Sequence, residues 1–263
     1  MLGCPWKDGA SFFILQLTPI AVLPVVILAG GFGTRLRSVV GDRPKVLAPL
    51  AGRPFLHHLL SRLADERVSD VVLSTGYLGE QVEAFAAEHV LSGMRVRCVH
   101  EPEPLGTGGA VAFAAAEAEI GGPFVAMNGD TFFGGSVAEL VNAHETVPMA
   151  EAMIAMARVD AADRYGRVLF DEAEGNAPVC VTGFVEKGTG VLEAGPVWIN
   201  AGVYVLTPLA LAHVPTGERV SLERVVFPHL AEEGALWALR YSSGRFLDIG
   251  TPEDYARATR MLG

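Results

Sequence analysis

Residues 22–29 read VLPVVILA and break at once into Gly30-Gly31-Phe32-Gly33. A short β-branched run without polar alternation is the pattern of a strand covered on both faces, as in a parallel sheet. Parallel neighbours need crossovers of about a dozen residues or more, usually helical. The chain supplies them. Pro54 opens FLHHLLSRLADE, with Leu56, Leu59, Leu60 and Leu63 on one helical face. DVVLST at 70–75 reads as a second buried strand, 80–90 as a helix and 95–100 as a strand. The alanine-rich stretch 108–120 reads as a helix, and PFVAM at 123–127 as a strand ending at Asn128-Gly129-Asp130. This alternation predicts an α/β fold with a mostly parallel sheet and helices on both faces.

The second half changes character. Residues 152–158, 167–171, 179–186 and 197–206 read as strands with few helices between them. A helix is expected over 221–232, short strands over 237–241 and 245–248, and a last helix, PEDYARATRML, from Pro252. No internal repeat, low-complexity tract or linker interrupts the chain. Its 263 residues suit one large domain: residues 22–263, with a first half to about 150 and a more antiparallel second half from 151.

Residues 9–34 carry no charge, which is long enough to raise a membrane span. Pro19 and Pro24 interrupt that stretch and Gly30, Gly31 and Gly33 end it. The charges ahead of it are one Lys7 and one Asp8, not the basic region of a signal peptide. Residues 1–21 therefore read as an N-terminal extension of uncertain order, and the protein as cytoplasmic with no membrane partner. The 20 Lys and Arg against 30 Asp and Glu give a net charge of −10, which argues against a nucleic-acid binder. It leaves room for a local basic cleft that takes an anion. Cys4, Cys98 and Cys180 are too few and too scattered for a disulfide framework or a cysteine zinc site.

The glycine run after the first strand can let backbone N–H groups approach a phosphate, or can simply be a tight turn. It lacks the GxxxxGK[ST] of a Walker loop, and Leu36 stands where a GxGxxG fingerprint needs its last glycine. Arg35 closes the loop, and Arg43-Pro44-Lys45 follows ten residues on. A guanidinium fork and an ammonium point charge beside a glycine loop suit a polyphosphate.

With these residues the chain resembles the sugar-phosphate nucleotidyltransferases. The GGxGTRL loop stands as Gly30-Gly31-Phe32-Gly33-Thr34-Arg35-Leu36, the PK pair as Pro44-Lys45, and the GKP-like turn as Gly52-Arg53-Pro54. Pro104-Leu105-Gly106-Thr107-Gly108-Gly109, Asn128-Gly129-Asp130, Phe184-Val185-Glu186-Lys187, Asn200-Ala201-Gly202-Val203-Tyr204, Ser221-Leu222-Glu223 with Pro228, and Asp248-Ile249-Gly250-Thr251-Pro252 follow in the family's order. Ser38 and Gly188 stand where many relatives have proline, and neither removes a catalytic group.

The resemblance implies a Rossmann-like three-layer sandwich with a mixed, mostly parallel central sheet, of the nucleotide-diphospho-sugar transferase type. It implies attack of a sugar 1-phosphate on the α-phosphate of a nucleoside triphosphate, with loss of pyrophosphate and no covalent enzyme intermediate. By the same resemblance, Leu28, Ala29, Gly30, Gly31, Gly33 and Thr34 cradle the nucleotide with Gly106 and Thr107. Arg35 holds the leaving pyrophosphate, and Lys45 neutralises the α-phosphate. Asp130 and Asp248 bind Mg²⁺. Lys187 pairs with the sugar phosphate. Glu186 and Asn200 hold sugar hydroxyls, and Tyr165 and Gly166 line that pocket. The reading leaves open assembly into a homo-oligomer and a non-catalytic, nucleotide-sugar-binding regulatory role.

In the uridylyl and thymidylyl members a glutamine stands five residues before the glycine of the PLGT-like loop. Counting back from Gly106 gives Glu101. A carboxylate offers acceptors only and complements the adjacent ring N–H and exocyclic amine of guanine, so GTP is the expected nucleotide. A uridylyl- or thymidylyltransferase acting on a hexose or amino-sugar phosphate is the alternative. The runs GTRLRSVV, RPKVLAPLAGRPFL and NGDTFF are most similar to the members that act on D-glycero-α-D-manno-heptose 1-phosphate.

Overall fold

A computed structural model describes residues 23–89, 91–160, 165–185, 195–243 and 245–262. The first half contains β1 (Val25–Leu28), α1 (Arg37–Val40), β2 (Pro49–Leu50), β3 (Arg53–Pro54), α2 (Phe55–Asp65), β4 (Asp70–Thr75), α3 (Gly79–Glu88), β5 (Arg95–His100), α4 (Gly106–Glu117), β6 (Phe124–Asn128), β7 (Thr131–Phe133) and α5 (Val137–Glu145). The second contains β8 (Ala152–Val159), β9 (Arg167–Phe170), β10 (Val179–Val185), β11 (Val197–Leu206), a π-helical turn (Leu222–Val226), α6 (Phe227–Glu232), β12 (Leu236–Tyr241), β13 (Phe246–Asp248) and α7 (Pro252–Leu262).

One nine-stranded sheet, in the order β5-β4-β1-β6-β11-β8-β12-β10-β9, forms the middle layer. The parallel pairings are β5 with β4, β4 with β1, β1 with β6 and β8 with β12, and only β10 and β11 run against the rest. The predicted mixed, mostly parallel sheet is therefore observed.

Alternation along β1 sends Val25 and Ile27 into one core and Val26 into the other. The first core is closed by α2, α3, α5 and α7, and the second by α4 and α6. The chain steps outward from β1 through β4 to β5, then crosses back through α4 on the opposite face to β6. The carboxyl end of β1 is thus a topological switch point, where the loops leaving neighbouring strands diverge and open a crevice.

Three expectations need correction. The first strand starts at Val25, not residue 22, because Pro24 cannot donate to the ladder. The helix expected over 221–232 is a π turn followed by α6, with Pro228 in its first turn. Helix α5 went unread in the sequence although Ser136 caps it, accepting from Glu139 N at 3.2 Å. The extension read over 1–21 lies outside the described residues. No helix among the described residues is long and apolar enough to cross a membrane.

Candidate active site

A cavity of about 500 Å³ opens at this switch point. Leu28, Ala29, Gly30, Gly31, Lys45, Glu101, Gly106, Thr107 and Asp130 all line it. Gly33, Thr34 and Arg35 instead sit in the turn that leaves the wall, with Thr34 and Arg35 exposed. The loop needs its glycines for definite reasons. A Cβ on Gly30 would lie 2.6 Å from a Glu101 carboxylate oxygen and 3.0 Å from Gly76 N. Gly33 has a left-handed φ of 58° and its carbonyl accepts from Leu36 N at 2.9 Å, which turns the chain into α1.

Glu101 stands at the end of β5 and is only 9% exposed. Its Oε1 accepts from Ser74 Oγ at 3.2 Å, and its Oε2 accepts from Leu105 N at 3.2 Å. Burial pushes its pKa above the usual carboxylate range, and the two hydrogen bonds oppose that shift. The adjoining loop is pinned to the second half of the chain. Gly108 N donates to Val220 O at 2.8 Å, and Val220 N donates to Leu105 O at 2.9 Å. Thr107 Oγ1 donates to Glu223 Oε2 at 2.7 Å and accepts from Leu222 N at 2.8 Å. Thr107 lines the cavity, but its hydroxyl is committed to this joint.

At the other end of the cavity Lys45 Nζ meets Asp130 Oδ2 at 2.5 Å, with the lysine side chain only 12% exposed. β7 pairs with β13 so that Thr131 faces Asp248, and Ile249 N donates to Asp130 O at 3.0 Å. This register brings Asp130 and Asp248 together across the ladder. Burial, then the charge of Asp130, raises the pKa of Asp248, while Lys45 and the Gly250 N–H at 2.6 Å pull it down. Two carboxylates offering hard oxygens beside each other fit a divalent cation. No cluster of three or more His, Cys, Asp or Glu side chains closes a cage among the described residues. A cation held here keeps positions for water and phosphate oxygens, as Mg²⁺ favours.

On the sugar side, Glu186 and Lys187 lie outside the described residues. Tyr165 packs edge-on against Phe246 at 5.5 Å, and its hydroxyl accepts from Arg257 Nη2 at 3.1 Å. Neither Tyr165 nor Gly166 reaches the cavity wall. Asn200 sits where the pairing of β11 with β8 becomes irregular. Its Oδ1 accepts from Gly202 N at 2.8 Å and its Nδ2 donates to Tyr204 OH at 3.1 Å. The side chain holds the bulge.

A profile described as nucleotidyl transferase matches residues 24–263. The chain belongs to the nucleotidyl transferase family. It is 36% identical over 239 residues to the mannose-1-phosphate guanylyltransferase of Mycobacterium tuberculosis (strain ATCC 25618 / H37Rv), covering 90% of this chain. It is 35% identical over 235 residues to the mannose-1-phosphate guanylyltransferase catalytic subunit beta of Drosophila pseudoobscura pseudoobscura, covering 88% of this chain. The chain spans 64% and 60% of the lengths of these curated relatives. Among solved structures, HddC from Yersinia pseudotuberculosis complexed with GMP-PN is 31% identical and superposes with a TM-score of 0.73. That match covers 92% of this chain and all of HddC.

The cavity also takes in residues not expected from the sequence. Phe32 and Tyr77 face each other at 5.5 Å, and His100, Asn128 and Arg219 are among the other residues of the wall. Asn128 Oδ1 is buried without a hydrogen-bond donor among the described residues. Its place before Gly129-Asp130 was a usable signal. Tyr77 and Arg219 gave none, because only the tertiary fold carries them to the loop.

Proposed function

We propose that this protein transfers a guanylyl group from GTP to a manno-configured sugar 1-phosphate. An oxygen of the sugar phosphate attacks the α-phosphorus. The bond from that phosphorus to the β-bridging oxygen breaks, and a GDP-sugar and pyrophosphate form. The observation that carries the choice of GTP is Glu101. Its buried carboxylate lines the cavity and offers only acceptors, which suits guanine N1–H and its exocyclic amine and repels a pyrimidine carbonyl. The guanylyltransferase names of the relatives and the GMP-containing ligand of HddC support the same base.

In this reading Lys45 neutralises the α-phosphate and Arg35, exposed on its turn, holds the departing pyrophosphate. Lys187 takes the sugar phosphate. Asp130 and Asp248 would hold Mg²⁺, which when bound supplies positive charge at the phosphate oxygens. No side-chain nucleophile is called for, and the protein's part is positioning and charge stabilisation.

The heptose phosphate heads the list of acceptors because the motif runs resemble the heptose-specific members. Mannose 1-phosphate comes second, on the names of the relatives. The test is pyrophosphate release with Mg²⁺, using GTP, UTP, dTTP, CTP and ATP against both sugar phosphates. Release with GTP alone supports the proposal, and the faster acceptor assigns the sugar. Release with a pyrimidine nucleotide overturns the base. Nucleotide binding without release from any pair favours the regulatory alternative.

A further inference from the structure

β4 is a strand of apolar side chains that ends on two hydroxyls, Ser74 and Thr75, both 0% exposed. A hydroxyl cut off from water needs a partner. Thr75 finds one in the backbone, donating to Val99 O at 3.3 Å. Ser74 instead donates to a carboxylate, Glu101 Oε1, at 3.2 Å. The other carboxylate oxygen accepts from Leu105 N at 3.2 Å. The carboxylate also fills the space that the missing side chain of Gly30 leaves. Glu101 lines the cavity and Ser74 does not.

An ionised carboxylate has two oxygens, each able to accept about two hydrogen bonds. Here one site on each oxygen is committed on the protein side. The remaining site on each is left to the cavity, an arrangement that meets two parallel donors. Resting on the guanylyl-transfer reading above, we infer that Ser74 is a positioning residue for nucleotide choice. From behind the cavity wall it sets the rotation of the Glu101 carboxylate, so that both oxygens face a purine bearing a ring N–H beside an exocyclic amine.

Inosine triphosphate keeps the ring N–H of GTP and lacks the amine. The experiment compares kcat/KM for GTP and ITP in the wild type, Ser74→Ala, Ser74→Cys, Glu101→Gln and the double variant Ser74→Ala/Glu101→Gln. A hydrogen bond to a charged group is worth about tenfold or somewhat more. Ser74→Ala is expected to lower the GTP/ITP ratio about tenfold, through KM for GTP, with KM for the sugar phosphate unchanged. Ser74→Cys keeps the volume with a weak donor and is expected to fall between. In the Glu101→Gln background, Ser74→Ala is expected to change the ratio no further. An unchanged ratio in both Ser74 variants, an equal loss with GTP and ITP, or a full additional loss in the double variant would overturn the inference. Absence of GTP turnover in the wild type would instead sink the guanylyl-transfer reading on which it rests.

Discussion

The fold holds Asp248 buried beside Asp130, against the preference of its carboxylate for water. Burial and the neighbouring Asp130 charge both oppose its ionisation, so its pKa is raised on folding. A group with a raised folded pKa binds more protons in the native state, so its contribution to stability is present at acid pH and lost as pH rises. Near neutral pH the ionised Asp248 therefore weakens the fold. Asp248→Asn keeps an oxygen for the Gly250 N–H and removes the charge. It is expected to raise the melting temperature by a few degrees at pH 7 and to lose that gain by pH 4, while metal-dependent turnover falls to background. Calorimetry at the two pH values checks it, and an unchanged melting temperature at pH 7 counts against the charge argument. Gly129 is constrained differently. A Cβ there would stand 2.3 Å from Leu28 O and 2.9 Å from Val46 Cγ1. Gly129→Ala must push β1 away from the turn that carries Asp130. We expect destabilisation of about 1–3 kcal/mol in urea unfolding, together with a loss of activity that added metal does not restore.

At the scale of elements, the joint between α4 and the π turn decides how the two halves meet. Gly106 and Gly109 let backbone carbonyls approach: a Cβ on either would come within 2.5 Å of Val220 O or Glu218 O. Thr107 then links Leu222 N and Glu223, and Ser221 Oγ donates to the same Glu223 oxygen at 2.8 Å. Thr107→Val keeps the shape, strands Leu222 N and leaves Glu223 with Ser221 as its donor, which costs about 1–3 kcal/mol. The expected kinetic signature is a rise in KM for both substrates, since the joint carries Arg219 on one side and Gly106 on the other. A rise confined to one substrate would show that the joint does not couple the halves. This joint was not legible in the sequence. PLGTGG and SLE stand more than a hundred residues apart, and nothing local says that Thr107 faces Glu223 rather than a ligand. The sheet strands were legible, because DVVLST and VWINAGVYVL carry their burial in composition and the half-exposed edge strand RVRCVH shows in its alternation. α5 was not, because its capping signal sits among short glycine-rich turns.

Across the whole molecule, the mostly parallel sheet opens one crevice at its switch point. Gly30, Gly31, Gly106, Lys45, Glu101 and Asp130 were all readable and all line one cavity, while Gly33 turns away from it. What stayed hidden were the side chains whose importance comes from a neighbour: Ser74 behind Glu101 and Tyr77 against Phe32. The cavity draws its walls from β1, the turn after β4, β5, α4, the turn after β6 and the Arg219 segment, so a nucleotide that fills it bridges elements from both halves of the chain. Binding to the native state alone stabilises by RT ln(1 + [L]/Kd), about 2.7 kcal/mol at a hundredfold excess over Kd. For a chain of this size that is a rise of about 5–10 °C in melting temperature. GTP with Mg²⁺ is expected to give this rise without any sugar phosphate, because Lys45, Glu101 and Asp130 already line one cavity in the fold. UTP at the same concentration is expected to give little, since the Glu101 carboxylate faces its carbonyls. Glu101→Gln is expected to narrow the difference between the two nucleotides. Equal stabilisation by GTP and UTP in the wild type would mean that the phosphates alone fill the cavity and that the base lies outside the reach of Glu101.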